Sequence, residues 1–321
     1  MDIFKKLEER ARSNKKTIIL PESYDERVID AAKDVIRRKI AKFILIQTGR
    51  KLPFTDSNYL TIIDINFSSQ FANQYFAIRK KKVPGCTVKQ AETDLKNPLT
   101  FGCMLLKNNF ADAVVAGSVY STSDVIRNGI QIIGPAKSNK IVSSFFLFTF
   151  LKNHKFKDRV FVYADSGVIP EPTAEQLTNI AYLTAFNFKK LTGLEPKIAF
   201  LSFSTKGSAN DESLKKIITA YKLFRRRYPN MTCDGELQFD AAFEPEVAKR
   251  KNPHGAIKGD ANVFIFPDLN SGNIAYKITE RIGGAYATGP ILQGLAKPVM
   301  DLSRGCSADD IVKMVLVASN F

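Results

Sequence analysis

Short runs of β-branched and aromatic residues alternate along this chain with loops rich in Gly, Ser, Pro and Asp and with amphipathic stretches of helical period. That alternation predicts an α/β protein with strand, loop and helix units in series. The first unit reads "KTIIL", "PESYD", "ERVIDAAKDVIRRK" and "AKFILI". A second reads "ADAVVA", "GSVYSTSD" and "VIRNGIQIIG", and a third "RVFVY", "ADSGVIPEP" and "TAEQLTNIAYLTAFNFKK". A fifth reads "ANVFIF", "PDLNSGN" and "IAYKITERIGGA". No internal repeat or low-complexity linker interrupts the series. Helix starts are marked by Ser or Thr followed three residues later by an acid or amide: Ser121 with Asp124, Thr173 with Gln176, and Ser307 with Asp310.

The fourth unit, "KIAFL", "SFSTKGSAN" and "DESLKKIITAYKLFRRRY", places Ser204, Thr205, Lys206, Gly207 and Ser208 between a strand's end and a helix. Free backbone N–H groups and the helix dipole favour an anion there. The Walker spacing is absent, and a tight turn with serine caps is the competing reading.

A length of 321 residues exceeds what one core usually serves and predicts two domains. With 45% apolar and 25% charged residues the chain has material for packed cores. Its longest apolar run, around "IVSSFFLFTFL", is too short to span a bilayer, and the polar amphipathic N-terminus lacks a signal-peptide core. A cytoplasmic protein with no membrane partner is expected. Cys86, Cys103, Cys233 and Cys306 include no C-x-x-C pair, so neither a disulfide framework nor a metal site is expected. The two histidines, His154 and His254, lie in loop-like sequence, which leaves proton transfer to a carboxylate. The net charge of +15 favours anionic ligands. The basic runs are scattered and lack aromatic interleaving, which argues against nucleic acid.

The stretches "ILPESYDERVIDAA", "ADAVVAGSVYSTSDVIRNGIQIIG", "FLSFSTKGSA", "CDGELQFDAAFEPEVAKRKNP" and the long segment from "GDANVFIFPDLNSGN" to "DLSRGCSADDIV" resemble the phosphate acetyltransferase family, which includes phosphate butyryltransferases. The match covers nearly the whole chain. It implies a two-domain, three-layer α/β/α fold like that of isocitrate and isopropylmalate dehydrogenases, with the active site in the interdomain cleft and a homodimer as the usual assembly. Residues 1–137 plus 294–321 would form the first domain and 138–293 the second. The reaction implied is reversible acetyl transfer between acetyl phosphate and coenzyme A, with acetyl-CoA and phosphate as products, no bound cofactor and no metal.

Carried over by the resemblance, the catalytic residues fall on Ser303, Arg304 and Asp310, and substrate-binding arginines fall on Arg127, Arg281 and, across an insertion of two residues, Arg79. Ser166 stands where many members have Cys, and Asn128, Gly129 and Ile130 replace a common Pro-Ala-Leu. The chemistry needs a thiol made nucleophilic, a carbonyl polarised and a phosphate neutralised. Asp310 as general base is expected to supply roughly 10²- to 10⁴-fold, with the arginines on phosphate and oxyanion. Asp310 also fits an ordinary helix cap, and both readings stay open. No His or Lys adjoins Ser303 to make it a covalent nucleophile, so direct transfer in a ternary complex is expected. Cys306 reads as packing. The alternatives are butyryl or propionyl transfer, a dehydrogenase on the same fold, and a nucleic-acid-binding module.

Overall fold

A computed structural model describes residues 3–139 and 141–321. Its strands, in chain order, are β1 (Thr17–Leu20), β2 (Lys42–Gln47), β3 (Leu60–Asp64), β4 (Ala113–Ala116), β5 (Ser143–Phe150), β6 (Phe161–Ala164), β7 (Ile198–Leu201), β8 (Cys233–Leu237), β9 (Val263–Ile265), β10 (Ala285–Gln293) and β11 (Val299–Asp301). The chain divides into two units, one of Asp2–Asn139 with Leu295–Phe321 and the other of Lys140–Gly294.

The first unit holds a sheet in the order β11-β4-β1-β2-β3, in which every pairing is parallel. A parallel sheet is covered on both faces, which explains why β4, "AVVA", is apolar and buried at every position. Ile19, Ile44, Val114 and Val299 face a cluster with Phe101, Met104 and Leu105 of helix Pro98–Lys107. Their alternate neighbours face the other side, where helix Ala308–Ser319 packs on β1, β4 and helix Glu26–Arg37. Helix Glu26–Arg37 buries Val28, Ala31, Ala32 and Val35, the i, i+3, i+4, i+7 stripe legible in "ERVIDAAKDVIRRK".

The second unit holds a six-stranded sheet in the order β10-β5-β6-β9-β7-β8. Its β5 runs antiparallel to β10 and β6, and β6-β9-β7-β8 are parallel. One face is aromatic, with Phe146, Phe148, Phe161, Tyr163, Phe243 and Phe264 in a single cluster. The apolar run flagged in the sequence is β5, largely buried inside this sheet. The stretch "VIRNGIQIIG" forms helix Thr122–Asn128 followed by a π-turn over Gly129–Ile133, and so departs from the single helix expected. Among the described residues no helix is long and apolar enough to cross a membrane.

Candidate active site

In the first unit the chain leaves β1 toward β2 on one side, while β4 lies on the other. Loops therefore diverge at the C-terminal ends of β1 and β4, the place where open parallel sheets bind ligands. The loop after β4, Gly117 to Ser121, points four successive backbone N–H groups at one spot, and a carboxylate of the chain itself fills it. Glu22 Oε2 accepts from Gly117 N at 3.0 Å, Ser118 N at 2.9 Å and Ser118 Oγ at 2.6 Å. Its Oε1 accepts from Val119 N at 2.7 Å and Tyr120 N at 2.8 Å. Glu22 is only 1% exposed. A cradle of this kind would hold a phosphate oxygen equally well, so its donors are already spent.

The turn that follows β11, Leu302 to Ser307, is stapled to this loop by Arg27. Arg27 Nη1 donates to the carbonyls of Arg304 at 2.7 Å and Cys306 at 2.9 Å. Nη2 donates to Ser118 O at 2.8 Å and to Asp25 Oδ2 at 2.7 Å. Arg27 holds the Asp25 carboxyl below its ordinary range, and Asp25 in turn caps helix Glu26–Arg37 through Arg27 N. Gripped at two carbonyls, the turn presents the side chains of Ser303 and Arg304 outward, and both residues are exposed. Cys306 faces inward, and burial pushes its thiol up to about 11, so it packs as a neutral group at physiological pH.

Asp310 closes a full capping box: its Oδ2 accepts from Ser307 N at 2.9 Å and Ser307 Oγ at 2.8 Å, and its own N–H donates to Ser307 Oγ at 3.2 Å. Oδ1 takes no hydrogen bond from the described residues, and the residue is exposed. One oxygen is thus structural while the other remains available. Thr173 and Gln176 form the same reciprocal box. Ser121 caps Asp124 N at 3.2 Å without the return bond, and its hydroxyl donates to Asp124 Oδ2 at 2.6 Å.

Arg127 lies in the same unit, on the helix that packs beside β11, with its side chain 59% exposed and paired to Asp124 at 2.9 Å. An exposed i,i+3 pair of this sort holds weakly and releases its arginine readily. Arg79 is half-buried, with its Nε 2.7 Å from Asp94 Oδ2 but without hydrogen-bond geometry. The structure brings Ser303, Arg304 and Asp310 together on one turn and helix start, and places Arg127 and Arg79 in the same unit.

Arg281 and the 204–208 loop belong to the other unit. Arg281 ends helix Leu269–Arg281 with its side chain 81% exposed. The donors of the 204–208 loop are not free as the sequence suggested. Gly207 N donates to Glu236 Oε1 at 2.7 Å, and the buried Ser204 hydroxyl donates to the same oxygen at 3.1 Å. Lys206 Nζ donates to Gly235 O at 2.7 Å and pairs with Asp234. Burial opposes charge on Asp234, but Lys206 and Asn252 outweigh it and its pKa is lowered. Thr205 N donates to Ser208 Oγ at 3.0 Å. Helix Leu214–Arg227 begins six residues after Ser208. Two carboxylates of β8, inside the stretch "CDGEL", have taken the anion's place. The loop after β6 repeats the pattern, with buried Asp165 accepting from Ser144 Oγ at 2.6 Å, Gly167 N at 3.0 Å and Ile169 N at 2.9 Å. Nearby, the Ser166 hydroxyl is buried and makes no hydrogen bond to the described residues.

Sequence reasoning missed Arg27 and Glu22. Both stood in view in "PESYDER", and the only available signal was a charged pair flanking the cap residue Asp25 in a strand-to-helix loop.

A family model described as phosphate acetyl/butaryl transferase matches residues 2–319. A phosphate acetyltransferase of Acetivibrio thermocellus is 43% identical, over 99% of this chain and 98% of its own. One of Thermoanaerobacterium thermosaccharolyticum is 42% identical, over 98% of each. The crystal structure of a phosphotransacetylase from Streptococcus pyogenes superposes with a TM-score of 0.89 at 39% identity, over 99% of this chain and 97% of that one.

Proposed function

The chain belongs to the phosphate acetyl/butaryl transferase family, and from that premise we propose that it transfers an acetyl group between acetyl phosphate and coenzyme A by direct attack of the thiol. The single observation that carries this reading is the full-length similarity to relatives named phosphate acetyltransferase. In the thioester-forming direction the coenzyme A sulfur attacks the acetyl carbonyl carbon. A C–S bond forms, the C–O bond to phosphate breaks, and phosphate leaves with the bond's electron pair.

A free thiol has a pKa of about 8.5 and is only a few per cent ionised at neutral pH. Asp310 Oδ1 takes its proton as the bond forms, while Oδ2 stays on the helix cap. Ser303 donates to the developing oxyanion, and Arg304 and Arg127 offer planar two-pronged donors to the phosphate. Support for these roles comes from exposure: Ser303, Arg304 and Asp310 are exposed on one turn and helix start, and the Arg127 side chain is 59% exposed. Arg281 and Arg79 are assigned substrate contacts by the resemblance alone, and the 204–208 loop by its place between a strand's end and a helix. The assembly proposed is a cytoplasmic homodimer. Helix Leu269–Arg281 supports it, since Gly272 alone is buried and Ile274 and Ile278 are exposed, with Ile282 following.

The test is spectrophotometric thioester formation from coenzyme A with acetyl, propionyl and butyryl phosphate, after chelator treatment. Acetyl phosphate is expected to be the best substrate and the chelator to have no effect. Preference for butyryl phosphate would reassign the acyl group, and failure with all three would remove the reading.

A further inference from the structure

Asp301 ends β11, two residues before Ser303, and is completely buried. Among the described residues neither of its carboxylate oxygens has a hydrogen-bond partner. The Thr122 hydroxyl and the Leu302 N–H come near enough to favour the ionised form, yet neither has hydrogen-bond geometry. The Leu302 N–H is already given to Ala116 O at 2.8 Å. Gly117 presses its Cα against the carboxylate: a Cβ added there would lie 2.5 Å from Asp301 Oδ1, at a φ of +113°. Gly117 N, in turn, donates to Glu22. Two buried carboxylates therefore sit on either side of one glycine, one with five donors and one with none.

An ionised carboxylate in that position would be uncompensated and next to a like charge, an arrangement that proteins avoid by binding a proton. We propose that Asp301 is a positioning residue that acts as the neutral carboxylic acid, seating the exit of β11 against Gly117 and Thr122 so that the turn carrying Ser303 and Arg304 keeps its place. This rests on the reading of that turn as part of the active site. Burial first, and the charge of Glu22 with it, pushes the Asp301 carboxyl up to about 7. Glu22, from the loop after β1, is the one ionisable group among the described residues whose charge acts on it. Helix Thr122–Asn128 contributes the Thr122 hydroxyl, and Arg27 is spent on Asp25 and three carbonyls.

The linkage has a definite sign. The folded chain keeps this proton up to about 7, whereas the unfolded chain loses it near 3.8. The stability that the proton confers is complete below that lower value, and it is lost as pH rises toward and through about 7. Ionisation should loosen the turn over the same range.

Asp301→Asn keeps the shape and cannot ionise. Its kcat is expected to match that of the wild type within about threefold at pH 6. The ratio of variant to wild-type kcat should then climb by about tenfold for each pH unit above the wild-type midpoint. Denaturant stability of the variant should lack the wild type's decline between pH 4 and 7. Infrared difference spectra of the two proteins should contain a protonated-carboxyl band near pH 6 that vanishes above pH 8. A kcat ratio that stays flat from pH 5.5 to 9, or no such band, overturns the proposal. If Asn fails to fold, Asp301→Ser serves for the same three measurements. Full activity in both Ser303→Ala and Arg304→Ala would instead remove the turn from the active site while leaving the carboxyl band in place, so the two failures are distinguishable.

Discussion

Arg27 is the side chain on which the site's geometry most depends. It joins the loop after β4, the start of helix Glu26–Arg37 and the turn after β11 through hydrogen bonds to three carbonyls and to Asp25. Glutamine offers one donor group where arginine offers a fork. Arg27→Gln is expected to lose about 2 kcal/mol of stability, from part-buried acceptors left unpaired, and to lower kcat by more than it raises the KM for acetyl phosphate. Unfolding in denaturant alongside steady-state kinetics checks both, and a variant unchanged in stability would remove Arg27 as the staple. This residue was not legible in the sequence because its bond to Arg304 O spans 277 positions. The capping box at Ser307 was legible because its partners are three residues apart. Local hydrogen bonds leave a spacing in the sequence, and long-range ones leave only a charged residue like many others.

The loops at strand ends follow a common rule: after β1 and β4, after β6 and after β7, backbone donors converge and a carboxylate of the chain fills the convergence. The sequence showed the donors, in the small residues of "SFSTKGSAN". It hid the acceptors, because "CDGEL" is too polar to be read as a strand until pairing with Lys206, Asn252 and Gly207 makes Asp234 and Glu236 tolerable inside β8. Strands such as "AVVA" and the stripe in "ERVIDAAKDVIRRK" were legible because apolar residues alone carry them. Glu236→Ala would leave the Gly207 N–H and the buried Ser204 hydroxyl without their acceptor. A loss of about 2 kcal/mol is expected, measured by denaturant unfolding, with Glu236→Gln close to wild type. Equal stability of the Ala variant and the wild type would mean that the loop's donors are satisfied elsewhere.

At the scale of the whole molecule, the α/β class was legible in the alternation of runs, and relatives matched along their full length carry the activity. The sheet orders were not legible, since nothing local tells β11 to pair with β4 across some 180 intervening residues. Under the proposed function, the turn after β11 and the helix start that follows it do chemistry as well as cap a helix. The two oxygens of Asp310 separate those roles: Oδ2 holds Ser307, and Oδ1, which takes no hydrogen bond from the described residues, is the proposed acceptor of the thiol proton. Asparagine at 310 keeps an acceptor for the cap and removes the base. The most direct measurement is kcat for Asp310→Asn at saturating coenzyme A near neutral pH, with the melting temperature taken on the same preparation. The expected result is an unchanged melting temperature with kcat lowered by about 10² or more; a fully active Asp310→Asn enzyme would contradict the account and leave Asp310 as a helix cap.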